Sequence, residues 1–169
     1  MVYTVRFVSN EEDDFELDVK ISSDLTFADL HNVIQDALHF DKTLLASFFV
    51  SNANWEKLDE ITLMDMGEGG TLMADARICD FFSKKGQRML YVYDYFAERL
   101  LFGSIIAVSE NDGKEALAIV KLDGHIPPQL APESDVFGDD DLFSGEEMTS
   151  DEFDFDELSD EMDDGYSIE

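Results

Sequence analysis

From Leu130 to Glu169 the chain carries 17 Asp and Glu residues and not one Lys or Arg. At physiological salt, like charges repel over a Debye length of about 8 Å, so this segment is expected to resist compaction. That divides the chain into a folded domain over residues 1–129 and an acidic, largely disordered tail over 130–169. The remaining 23 acidic residues stand against all 11 basic ones, a net of about −12 out of a formal −29. With 44% hydrophobic residues in 169, the body has material for one core, within the roughly 100–150 residues of a common domain.

The same charge argues against direct nucleic-acid binding, which rests on Lys and Arg neutralising phosphates. Cys79 is the only cysteine, so an internal disulfide or a cysteine metal cluster is excluded; it is expected to be a small buried hydrophobe. Met1-Val2-Tyr3-Thr4-Val5-Arg6 lacks the pattern of a secretion signal, and no apolar run reaches the about 18 residues of a membrane span. A cytoplasmic monomer without cofactor or metal is the expectation.

Tyr3, Val5 and Phe7 alternate with polar neighbours, as do Phe15, Leu17, Val19 and Ile21, the period-2 signature of half-buried strands forming an opening hairpin. Thr26 and Asp29 then stand in near capping-box relation before Leu30, Val33, Ile34, Ala37 and Leu38, one apolar helical stripe over 26–38. Helical rise puts His31 and His39 about 12 Å apart, too far to share a metal. Ala46–Val50 reads as a buried strand, with a weaker signal around Trp55–Leu58. Gly67-Glu68-Gly69-Gly70 is a turn rather than a phosphate cradle, because it has no basic residue and Glu68 repels phosphate. Ile78–Phe82 suggests a short helix, and Gln87–Tyr93 with Leu100–Val108 a second hairpin. After the turn Asn111-Asp112-Gly113, Ala116–Leu122 supplies a final strand. The order predicts an α+β fold, a sheet with one principal helix.

Three stretches carry a family resemblance. Leu25-Thr26-Phe27-Ala28-Asp29-Leu30-His31-Asn32-Val33-Ile34-Gln35 resembles the Leu-Thr-x-x-Asp-Leu-His-x-Val-Ile-Gln helix of a bacterial family named after the third open reading frame of a root-inducing plasmid, also labelled an insertion-element passenger of TnpR type. Arg88-Met89-Leu90-Tyr91-Val92-Tyr93-Asp94-Tyr95 is similar to its Phe-x-Tyr-x-Tyr-Asp-Phe strand. Leu122-Asp123-Gly124, followed by Pro132–Gly138, is similar to its ending. The resemblance implies a β-grasp-like (ubiquitin-like) core and no established activity. Phe15-Glu16-Leu17-Asp18 replaces a family Trp-Arg pair, and the family's Trp after Tyr-Asp and its late cysteines are absent.

No catalytic constellation emerges. A serine recombinase, which the TnpR label invites, needs clustered arginines that are missing here. Carboxylates are too plentiful for their pairing to mean acid–base chemistry. Asp139-Asp140-Asp141 with Glu146 approaches an EF-hand loop but places Phe143 and Ser144 where an oxygen ligand and Gly are required. His125, beside Ile126-Pro127-Pro128, shows no second ligand nearby. In the tail, Phe153 and Phe155 among acids, with Phe155, Leu158 and Met162 on one potential helical face, form a candidate docking segment. The expected function is a non-catalytic interaction protein for a basic partner, with an inert solubilising tail as its alternative. An enzyme using an aromatic surface of Tyr91, Tyr93, Tyr95 and Phe96 is the other reading.

Overall fold

The computed structural model describes residues 1–110 and 115–130. The Asn111-Asp112-Gly113 turn, the Pro132–Gly138 ending, the EF-hand-like stretch and the docking residues Phe153, Phe155, Leu158 and Met162 lie outside the described residues.

The opening hairpin forms as its alternation requires. Strands β1 (Val2–Ser9) and β2 (Glu16–Ser22) pair antiparallel from Val2↔Ser22 to Val8↔Glu16. Val5, Phe7, Leu17, Val19 and Ile21 are all buried in one core. The turn between the strands begins at Ser9, whose hydroxyl accepts from the Glu11 and Glu12 N–H groups at 3.0 and 3.3 Å.

Helix α1 (Phe27–Leu38) starts at a complete capping box. The Thr26 hydroxyl accepts from Asp29 N–H at 3.2 Å, and the Asp29 carboxylate accepts from Thr26 N–H at 2.9 Å. Two otherwise orphaned helix-end donors are thereby satisfied. The helix stops where His39 turns left-handed, with φ 56°. Its inward face is rotated from the expected stripe: Phe27, Leu30, His31, Ile34, Gln35 and Leu38 are buried, whereas Val33 and Ala37 are only partly so.

Strands β3 (Ser47–Ser51), β4 (Lys57–Thr62) and β5 (Thr71–Leu72) precede a one-turn helix α2 (Ile78–Phe81). Strands β6 (Arg88–Asp94), β7 (Arg99–Ser109) and β8 (Leu117–Asp123) follow. Together they make an eight-stranded sheet in the order β5-β4-β3-β6-β7-β1-β2-β8, with β4–β5 its parallel pair. The chain is thus α+β, with one main helix laid over a mixed sheet. Cys79 is exposed, correcting the expectation of a buried thiol: α2 turns Ile78 and Phe82 inward, one turn apart, and leaves Cys79 outside.

The aromatic core is tightly fitted. Phe27 lies 5.2 Å from Phe48, 5.6 Å from Phe81 and 6.1 Å from Phe82, ring centre to ring centre. Strand β7 runs between β6 and β1 in the sheet, and at its Gly103 a Cβ would meet Phe7 Cε1 at 2.6 Å and Met89 Cγ at 2.8 Å. Along β6 both side-chain sets are buried, Leu90 and Val92 as well as Met89, Tyr91 and Tyr93. On the Leu90 side, Phe49 and Phe102 flank it in cross-strand register, and Trp55 packs edge-on to Phe102 at 5.1 Å.

Candidate functional site

The interior holds titratable groups that the enzyme reading expects on a surface. Tyr91 and Tyr93 are buried, so the four-aromatic surface of the enzyme reading does not exist as expected. Tyr91 instead meets the polar residues of the helix. Gln35 Nε2 donates to the Tyr91 hydroxyl at 2.6 Å, and that hydroxyl lies 2.8 Å from His31 Nδ1. With its oxygen accepting from Gln35, Tyr91 donates its proton to Nδ1, which places the His31 proton on Nε2. Burial, and secondarily Lys42, push His31 down to about 4, so it is neutral at physiological pH. Burial also raises Tyr91 and Tyr93 well above the ordinary phenol range. Gln35 Oε1 and the Tyr93 hydroxyl are buried without a partner among the described residues. The triad fastens helix to sheet and has the chemistry of a lock.

Basic side chains on the surface are largely engaged. Arg6 grips Asp18 through two bonds of 2.8 Å and reaches Glu16 at 3.0 Å. Arg99 pairs with Glu11 at 2.7 Å and Lys42 with Asp36 at 2.6 Å. Arg88 lies over the Trp55 ring at 4.6 Å and Lys57 over Phe49 at 4.9 Å.

His125 does have neighbours, contrary to expectation. Its Nδ1 sits 2.6 Å from Asp14 Oδ2, and Glu12 completes a group whose ligand atoms lie within 4.8 Å of one another. The approach depends on Gly124, at φ +79°, where a Cβ would fall 2.0 Å from the Asp14 carbonyl oxygen. The bond to the Asp14 carboxylate raises His125, while Asp14 is lowered first by accepting from the His125 backbone N–H and then by its bond to the ring. Asp14 and His125 are exposed and Glu12 is half-buried, and the three serve as a clasp between the β1–β2 loop and the end of β8.

Tyr95 and Phe96, by contrast, remain outside, on the β6–β7 turn. Asp94 fixes that turn by accepting from Phe96 N–H at 3.0 Å and Ala97 N–H at 3.3 Å. Beside it runs a groove of about 270 Å³, floored by Tyr93 and walled by Leu44, Leu45, Met66, Tyr95, Phe96 and Leu130. Met66 and Tyr95 also line an adjoining hollow of about 230 Å³ that contains Glu60 and Glu68. Glu60 Oε1 accepts from both Ser47 and Tyr95 hydroxyls at 2.9 Å. Among the described residues no Lys or Arg lines either hollow. The groove joins chain segments separated by tens of residues.

An α+β domain with a sealed polar core and an acid-edged apolar surface is the class that these features define. The family model described as plasmid pRiA4b ORF-3-like protein matches residues 8–128, and the chain belongs to that family. No curated protein matches it. Among solved structures, the chain is similar to a protein of unknown function, MM3350, from Methanosarcina mazei Go1, with 21% identity and a TM-score of 0.58. The match covers 72% of this chain and 68% of that one, a likeness of fold. Among the described residues no helix is long and apolar enough to cross a membrane.

Proposed function

We propose that the chain is a non-catalytic interaction protein that binds a basic protein partner, acting as a cytoplasmic monomer. The observation that carries this reading is the surface charge. Basic side chains are largely engaged within the fold, and among the described residues the hollows beside the β6–β7 turn hold Glu60, Glu68 and Asp94 with no cation. A cationic surface would be steered to such a face at long range, while desolvated apolar groups set the lifetime of the complex. The polar cluster His31–Gln35–Tyr91, which would be the natural start of a catalytic reading, is closed inside the core.

The acidic tail belongs to the proposal through Phe153, Phe155, Leu158 and Met162, as apolar anchors within a carboxylate-rich segment. So does the β-grasp-like description, supported by an opening hairpin crossed by α1, within a sheet that extends to eight strands. The test is to recover partners from native cytosol with the full chain and to measure their rates of association and release. Phe153→Ala with Phe155→Ala should speed release several-fold and leave association unchanged, whereas added salt should slow association. Partners that are not basic, or whose binding ignores salt, would overturn the reading.

A further inference from the structure

Phe96 stands with its whole side chain in water at 101% relative exposure, and Met66 is 63% exposed. Single exposed hydrophobes are ordinary. Here, however, Leu44, Leu45, Met66, Tyr95, Phe96 and Leu130 gather round one groove, and a contiguous apolar surface with a polar rim marks an interaction site. Its parts are held in advance of binding: Asp94 clamps the turn under Phe96, and Glu60 holds the Tyr95 hydroxyl. Preorganisation of this kind lowers the entropy lost on binding.

Charge and size narrow the occupant. Both hydroxyl bonds to Glu60 use Oε1, which leaves Oε2 without a bond among the described residues, and Glu68 lines the same hollow. The hollows, about 270 and 230 Å³, fall below the roughly 300–1,000 Å³ of a small-molecule site and suit one or two side chains each. An anion would find no cation among the described residues of their walls. We infer that this double hollow docks a segment of the basic partner in which a bulky apolar residue stands next to a Lys or Arg. The apolar side chain lies in the groove between Phe96, Leu45 and Met66, and the cation reaches Glu60 and Glu68. This rests on the basic-partner reading and narrows it to a recognition rule.

The probe is a synthetic library of twelve-residue peptides selected on the full-length chain, with Phe96→Ala, Met66→Lys and Glu68→Lys variants compared by titration after their circular dichroism is matched to the parent. All three positions are exposed, which favours retention of the fold. Selected peptides should pair Phe, Leu, Trp or Met with an adjacent Lys or Arg and lose about tenfold in affinity on each variant. The same peptides with Ala at the apolar position should bind weakly to parent and Phe96→Ala alike. Cationic peptides without an apolar preference, or binding indifferent to Phe96→Ala and Met66→Lys, would overturn the groove while leaving the basic partner standing. Selection of neutral or acidic peptides, or self-association of the chain across Phe96 in place of peptide binding, would overturn both.

Discussion

His31 shows what a residue can hide when it is read by polarity alone. As a polar residue it falls outside the expected stripe with Gln35, whereas Val33 and Ala37 fall inside it. The structure turns the helix so that both polar side chains meet Tyr91, and no periodicity of apolar residues reports a hydrogen bond made 60 positions away. The burial has a pH consequence with a definite sign. The folded imidazole titrates near 4 against about 6.5 unfolded, so the unfolded state binds more protons between these values. The contribution is complete above pH 6.5 and is lost as pH falls toward 4. Denaturant unfolding should show about 2 kcal/mol less stability at pH 5 than at pH 7.5 from this group. A His31→Gln variant with the same pH slope as the parent would refute that assignment. At Tyr91, replacement by Phe should cost about 1–3 kcal/mol, read by the same method, because it leaves Gln35 and His31 without their shared partner.

Among the elements, those with strong local signals were legible. The hairpin declared itself by alternation and α1 by its cap, and the family motif on that helix covers the capping pair as well as His31 and Gln35. Strand β4 did not, because only Ile61 of its six residues is buried, and β5 has just two residues. Removing the cap should be felt: Thr26→Ala is expected to lower stability by about 1 kcal/mol in thermal or denaturant melts. Ile34→Ala, beneath the same helix and completely buried, should cost about 2–5 kcal/mol through lost transfer energy and a cavity. A loss below about 0.5 kcal/mol would mean that Ile34 is not packed as described.

At the scale of the whole molecule, the excess of acids opposes compaction and ion pairs only partly offset it. Exposed pairs such as Lys42–Asp36 contribute at most about 1 kcal/mol each. Screening should therefore favour the folded chain: its melting temperature should rise between 0.02 and 0.3 M sodium chloride. A fall would show that the ion pairs outweigh the repulsion. Composition made this global balance legible; the Phe96 groove was not, since tertiary folding alone brings residues 44, 66, 95 and 130 to one place.

The place of β1 in the sheet also sets a timetable. Strand β1 is an interior one, between β2 and β7, and is synthesised before either of them. Its hairpin partner arrives at once, but its other edge waits for Leu101 to Ser109. At about 5–20 residues per second, the nascent chain carries an unsealed, aggregation-prone edge for roughly 5–20 seconds. Chaperone demand during synthesis should therefore fall abruptly once β7 emerges, and slowing translation between residues 22 and 99 should lower the soluble yield without changing the finished fold.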